Sequence, residues 1–339
     1  MKKLIIFLAT FLFAQSITET NLTFEENNLS IKPQIVEITL QEPIKPLQPN
    51  IKLAILIDKP KFFKFIPSII NSINAYFITK EINYELKVLD IEANISQLKQ
   101  NGFNDFIVYS LDKNYIKNLQ NYDANFYIPV FNKNDIETNA TNLYFSGINY
   151  KNQIAEFIKY MDTNKAIAIN DSKYISQKLT NIEKELNLSL EIYKYPNINY
   201  YKLSNNFIFL NVGAGKSAQV LSNITSKEIN TKLIFAPQID YDPLLIEITQ
   251  PQDVKKLIIS NSLIKIPKDI EDINLNLNSD IQYNWLNYAT SVLLNKLYNK
   301  KTQNDEFYIN DFNLYIFNNQ VNYKTKLYQI INGAFVPIE

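Results

Sequence analysis

The sequence predicts an α/β protein of two lobes, each a parallel sheet with helices on both faces. Three observations predict it. Short, almost wholly apolar runs bounded by turn residues read as strands buried on both sides. Stretches of helical spacing separate those runs. The alternation restarts midway through the 339 residues, which gives two similar halves.

The first half begins with "IKLAILI" (51–57), a strand ending at Asp58. "FKFIPSIINSINAYFITKE" (63–81) has helical spacing, "YELKVLDIE" (84–92) is a strand, and "ISQLKQNG" (95–102) is a helix closed by Gly102. "DFIVYS" (105–110), "KNYIKNLQNY" (113–122) and "NFYIPVF" (125–131) continue as strand, helix and strand. After a connecting stretch, the helix "YKNQIAEFIKYM" (150–161) opens the second half. "KAIAIN" (165–170), "LSLEIYKYP" (188–196), "NFIFLNV" (206–212), "TKLIFAP" (231–237) and "KKLIISNS" (255–262) are its strands. Its further helices cover "DSKYISQKLTNIEKEL" (171–186) and "KSAQVLSNITSKE" (216–228). "NSDIQYNWLNYATSVLLNKLYNK" (278–300) reads as one long helix, apolar from Ile281 through Trp285, Val292 and Leu297. The segment 307–338 reads as antiparallel hairpins that turn at "FNNQVNY" and "INGAF". The expected bounds are 51–142 plus 279–305 for lobe 1 and 143–278 plus 306–339 for lobe 2.

Composition narrows the chemistry. Lys and Arg together equal Asp and Glu at 34 each, so no basic surface invites nucleic acid. Every positive side chain is Lys, which removes bidentate guanidinium clamps on carboxylate or phosphate. His and Cys are absent, and with them His bases, Cys nucleophiles, disulfides, a lipid-bearing Cys and most transition-metal sites. Oxygen ligands remain, but no Asp-rich loop has calcium-hand spacing. The expectation is a protein without cofactor or metal, and not an enzyme.

At the N-terminus, Lys2 and Lys3 precede an apolar run from Leu4 to Ala14, the length of an export-signal core and too short to span a bilayer. Residues 1–14 are expected to direct export to the periplasm; the alternative is an N-terminal anchor. No later stretch approaches membrane-spanning length. Residues 15–50 form a Pro-containing leader, with Pro33, Pro43, Pro46 and Pro49 favouring extended backbone. It reads as a flexible spacer or as an arm that docks on a partner.

Seven Asn-x-Ser/Thr sequons occur, at Asn21, Asn28, Asn94, Asn139, Asn170, Asn187 and Asn223. Five carry Glu two residues earlier: Glu19, Glu26, Glu92, Glu137 and Glu185. One residue in about ten is acidic, so chance supplies fewer than one of the seven. The acid-x-Asn-x-Ser/Thr pattern resembles the acceptor of a bacterial N-glycosylation system. Asn21, Asn28, Asn94, Asn139 and Asn187 are the expected glycosylation sites of an exported glycoprotein.

The order of pieces resembles type I periplasmic binding proteins, the bilobed family that includes branched-chain amino-acid receptors. "IKLAILID" with its helix and "LKVLDIE" resemble the family's opening. "NDFIVYSLDKNY" resembles the place where lobe 1 meets ligand, and "FYIPVFNKND" with "NLYFSGINYKNQIAEFIKYM" the crossing into lobe 2. "KAIAINDSKYISQKLTNIEKEL" is similar to the first unit of lobe 2, and "LYIFNNQVNYKTKLYQIINGAFVPI" to the closing segment. The resemblance covers 51–339 and implies two Rossmann-like lobes joined by hinge crossovers, with a ligand cleft between them. The loops depart from the family's Gly- and Ser-rich pattern: "DKPKFFKF" follows the first strand, and Leu111-Asp112-Lys113 follows Ser110.

"GAGKS" (213–217) looks like the end of a phosphate-binding loop. That motif needs another Gly at position 210, where Leu210 stands. The stretch reads as the turn between a strand and a helix, with Gly allowing close packing, and no ATP is expected.

In open parallel sheets a ligand sits beyond the carboxyl ends of the strands. Those ends are Asp58, Asp90, Ser110, Asn132, Asn170, Asp171, Gly213, Gln238 and Asp240. They surround a ligand, or they are helix caps and turn formers. Two functions follow. One is a non-catalytic scaffold or accessory subunit of a cell-envelope machine, for cell-wall synthesis or a flagellar motor. The alternative is the solute-binding receptor of an ABC transporter, taking a small polar molecule.

Overall fold

The computed structural model describes residues 50–263, 265–304 and 307–338. The export segment, the leader up to residue 49, Asn21 and Asn28 lie outside the described residues.

Buried runs become strands. β1 (Asn50–Ile57), β2 (Asn83–Asp90), β3 (Asp105–Tyr109), β4 (Asn125–Ile128) and β5 (Leu143–Phe145) pair in parallel, in the spatial order β2-β1-β3-β4-β5. β6 (Lys165–Asn170), β7 (Ser189–Lys194), β8 (Phe207–Asn211), β9 (Ile234–Ala236) and β10 (Leu257–Asn261) repeat that order as β7-β6-β8-β9-β10. β11 (Tyr308–Ile309), β12 (Leu314–Phe317) and β13 (Gln320–Asn322) then extend the first sheet to eight strands. β14 (Lys326–Ile331) and β15 (Ala334–Pro337) extend the second to seven. Both C-terminal additions contain antiparallel hairpins, as the turn residues predict.

The helices are α1 (Lys59–Phe62), α2 (Ile66–Thr79), α3 (Ile95–Gln100), α4 (Lys113–Asn118), α5 (Tyr150–Ile158), α6 (Tyr174–Glu185), α7 (Ala214–Ser226), α8 (Pro243–Ile248), α9 (Lys268–Asn276) and α10 (Trp285–Lys301). Several start on an Asx cap: Asn94 accepts from Gln97 N, Asp112 from Asn114 N and Tyr115 N, Asn149 from Asn152 N, and Asn284 from Leu286 N and Asn287 N. The Asn284 cap sets α10 later than the expected helix, and Ile281 stays outside it.

Each sheet carries two cores, one per face. In lobe 1, one core gathers Ile55, Ile73, Tyr76, Tyr288 and Leu293, and the other gathers Ala54, Phe106, Phe126 and Phe145. In lobe 2 the two cores centre on Leu210, Leu221 and Ile259, and on Phe157, Phe209 and Phe235. Each fully buried Leu, Ile or Phe side chain among them contributes about 1.5–3 kcal/mol. Helices on both faces are therefore required by the strands themselves.

Strand pairing divides the chain differently from the expected segments. β5 lies at 143–145, beyond the expected end of lobe 1, yet pairs with β4. β13 pairs with β5 through Gln320 opposite Phe145, so 308–322 belongs to the first sheet. α9 packs against α2, and its Ile270 joins the lobe 1 core. The chain crosses between sheets after β5, after β10 and after β13.

Gly147 occupies the first crossing. A Cβ there would stand 2.1 Å from the carbonyl carbon of Phe131 and 2.4 Å from Asn132 N. The backbone approach is direct: Gly147 N donates to Phe131 O at 2.8 Å. Ser146 bonds the Tyr323 hydroxyl of the third crossing, and the Trp285 ring meets the Tyr323 ring edge-on at 4.8 Å. Among the described residues no helix is long and apolar enough to cross a membrane.

Candidate functional site between the lobes

The strand ends are held by the protein's own groups. The Asp58 carboxylate pairs with Lys61 at 2.9 Å. Asp90 ends the edge strand β2 and accepts from Glu92 N at 3.3 Å. Ser110 is fully buried and accepts from Asp112 N. Asn132 forms a capping box with Asp135 and donates to Gly147 O at 3.1 Å. Asn170 donates to Thr180 Oγ1, and Asn211 donates to the same oxygen. Gln238 is locked among Gln153, Asn261 and Ser262.

Asp171 and Lys216 meet. Lys216 Nζ lies 2.5 Å from Asp171 Oδ2 and 5.2 Å from the Tyr195 ring centroid. Burial alone would raise the Asp171 carboxyl. The bonds from Lys216 and Lys173 N, with both ammonium charges, outweigh it and leave it below its ordinary value. The lysine of "GAGKS" is thus committed to a carboxylate, which would repel phosphate. Gly213 is the N-cap of α7, as the strand-to-helix turn reading requires. Its glycine is not needed for close packing, however: φ is −78° and a Cβ would meet nothing within 4 Å.

Asp240 is fully buried, with no hydrogen-bond partner on either carboxylate oxygen. Burial first, and then the charge of Asp242, push it well above the usual carboxylate range; nearby Ser217 opposes this, though its hydroxyl bonds Val212 O. Glu183 is the second such group. Burial raises it to about 8, against the pull of Asn211 and Lys184. Both carboxyls face the interior of lobe 2, where burial favours their uncharged forms. Among the described residues no group of three or more carboxylates is placed to hold a metal.

The open space between the lobes lies elsewhere. A groove of about 400 Å³ is lined by Lys113, Asn134 and Asp135 of lobe 1 and by Tyr174, Gln177, Lys178, Asn181, Ile182 and Glu185 of α6. Lys178 Nζ crosses it to Asp135 Oδ2 at 2.7 Å, with the side chains 16% and 17% exposed. Burial and the Asp135 charge raise the Tyr174 and Tyr150 hydroxyls. A smaller recess of about 260 Å³ shares Asp135, Lys178 and Glu185 and reaches Asn149 and Tyr150 beside the first crossing. Of the strand-end candidates, only Asn132 lines that recess. The groove residues carried one signal in the sequence: Tyr174, Gln177 and Lys178 lie three and four apart, on one face of the helix after β6. A larger depression, about 760 Å³, lies at the N-terminal ends of β3–β5, opposite the carboxyl ends of the strands, and is open and Asn-rich.

Neither a family model nor a curated protein matches the sequence. Solved structures do match. A branched-chain amino-acid ABC transporter protein from Thermus thermophilus with bound valine superposes with TM-score 0.63 at 11% identity, covering 86% of this chain and 96% of that one. The branched-chain amino-acid substrate-binding protein LivJ from Streptococcus pneumoniae, in complex with isoleucine, gives TM-score 0.60 at 7% identity, covering 86% and 100%. The chain has the type I periplasmic-binding-protein fold. An extracellular ligand-binding receptor from Desulfohalobium retbaense shares that fold with TM-score 0.62 at 9% identity, covering 85% of this chain and 59% of that one. The groove between Asp135 and Lys178 lies between the two lobes of this fold.

Proposed function

We propose that the chain is a non-catalytic, exported solute-binding receptor whose lobes close on a small polar molecule for an ABC transporter. The observation that carries this reading is the groove between the lobes, about 400 Å³ in volume and bridged by Asp135 and Lys178. Its volume is within the range of small-molecule sites. Its walls offer ammonium groups from Lys113 and Lys178 and carboxylates from Asp135 and Glu185, with Ile182 as the apolar exception. Such a lining matches a solute with both charges, such as a zwitterion: its carboxylate replaces Asp135 on Lys178, and its ammonium replaces Lys178 on Asp135. Valine and isoleucine sit in the neighbours named above; the polar walls here favour a more polar solute. Export rests on residues 1–14.

The structural neighbours favour this reading over an envelope scaffold. One observation keeps the scaffold as a second reading. The strand-end side chains are engaged internally, while Phe307, Tyr315 and Phe317 of the β11–β12 hairpin region are 63–80% exposed. Ligand-stripped protein, titrated with polar amino acids and other zwitterions, tests the proposal by thermal unfolding. A saturable rise in Tm for a solute, lost in Lys178→Met, supports it. No rise for any solute at millimolar concentration, with co-purification of a large envelope complex, favours the scaffold.

A further inference from the structure

The described residues contain five of the seven sequons, and the structure sorts them into two groups. Asn94, Asn139 and Asn187 carry an acid two residues earlier, and all three are exposed. At each site the acid (Glu92, Glu137, Glu185) and the hydroxyl residue (Ser96, Thr141, Ser189) are exposed as well. Asn170 and Asn223 have Ala168 and Leu221 at the acid position and are only partly exposed.

The amide nitrogens divide the same way. Asn170 Nδ2 donates to Thr180 Oγ1 at 3.3 Å, and Asn223 Nδ2 donates to Gln219 O at 2.7 Å within α7. Asn94 uses its side-chain oxygen to cap α3, which leaves Nδ2 on the outside of the cap. The Asn139 and Asn187 side chains make no hydrogen bond among the described residues. Asn187 sits at φ 63° in the turn between α6 and β7. Asn139 lies in the irregular segment between Asp135 and β5, bordered by two open depressions.

We propose that Asn94, Asn139 and Asn187 are N-glycosylated in the exported protein, with the upstream acid as part of the recognised acceptor, and that Asn170 and Asn223 are not. In an extended segment, residues two apart point to the same side, so acid and Asn are read together by one groove of a transferase. The donor is a sugar linked through diphosphate to a polyprenol. Asn Nδ2 forms a bond to the anomeric carbon while the bond from that carbon to the diphosphate oxygen breaks. Polyprenyl diphosphate leaves, and the amide proton passes to a base of the transferase. Such a reaction needs an accessible, unengaged amide on backbone that opens locally, and Asn139 meets both conditions best.

Glycopeptide mass spectrometry of the full chain purified from its own host tests this. The expected result is saccharide mass on peptides bearing each of Asn94, Asn139 and Asn187, highest occupancy at Asn139, and bare Asn170 and Asn223. Glu137→Ala is expected to lower occupancy at Asn139 at least tenfold and leave Asn94 unchanged; Asn139→Gln removes that increment alone. Unmodified Asn94, Asn139 and Asn187, or equal modification at Asn170 or Asn223, overturns the assignment. Undiminished occupancy in Glu137→Ala overturns the role of the acid.

Discussion

Lys178 on α6 of the second lobe reaches Asp135 on the first, Nζ to Oδ2, at 2.7 Å. Both side chains are mostly buried, so the pair lies between the weak exposed and costly buried limits for ion pairs. A double-mutant cycle with Asp135→Asn and Lys178→Met is expected to give a coupling of roughly 1–3 kcal/mol. Each single variant is expected to broaden the distribution of lobe separations seen by small-angle X-ray scattering. Additivity within about 0.3 kcal/mol would mean the pair does not hold the lobes.

Glu183 gives a pH dependence of known sign. Its folded pKa, about 8, exceeds that of an exposed glutamate, about 4.3. Below about 4.3 both states are protonated and the group costs nothing. Between that value and about 8, folding must hold a proton that the unfolded chain releases, so stability falls as pH rises. Glu183→Gln is expected to remove this slope and raise stability at pH 7, read by urea midpoints across the range. An unchanged slope would mean the carboxyl is hydrated.

Asp171 gives the opposite sign. Its folded pKa is lowered, so the stability it supplies is present above the unfolded value, about 3.9, and is lost as pH falls towards the folded one. Lys216→Met is expected to move acid unfolding to higher pH. ATP is expected to leave Tm unchanged in wild type and variant alike. An ATP-dependent rise in Tm abolished by Lys216→Met would restore the phosphate-loop reading.

Two glycine substitutions are expected to differ in sign. Gly147→Ala forces a Cβ into Phe131 and Asn132 backbone atoms and is expected to destabilise by about 2–4 kcal/mol. Gly215→Ala lies within α7, where a Cβ meets Leu244 Cδ2 at an ordinary 3.8 Å, and is expected to stabilise by up to about 1 kcal/mol. Denaturant unfolding of both variants checks the pair.

Much of this fold was legible because β1, β3, β8 and β10 are buried on both faces, and their apolar runs are long enough to read. β5, α8 and α9 escaped notice. β5 has three residues, α8 has six, and α9 places Ile270 in the core while Leu275 is 60% exposed, so the periodic signal is short or mixed. The return of β13 to the first sheet rests on one pairing, Gln320 with Phe145, across 175 residues of chain, which no local pattern encodes. The strand-end Asx and Ser residues were found but turned out to serve mainly as caps and internal partners. The groove pair was missed because Asp135 and Lys178 become neighbours only when the two lobes fold. The sequons were plain in the sequence; which amides are already engaged was not.

Trp285 is the single tryptophan of the chain, and its ring rests edge-on against Tyr323 of the third crossing at 4.8 Å. If the lobes close on a solute, as proposed, that contact at the crossing is expected to shift. Trp285 emission from ligand-stripped protein, titrated with polar zwitterions, is therefore the most direct test of the proposed receptor function. The account predicts a saturable change for at least one solute, absent in Lys178→Met. A flat response to every solute, from protein that carries no small molecule in native mass spectrometry when taken from its host, would contradict it.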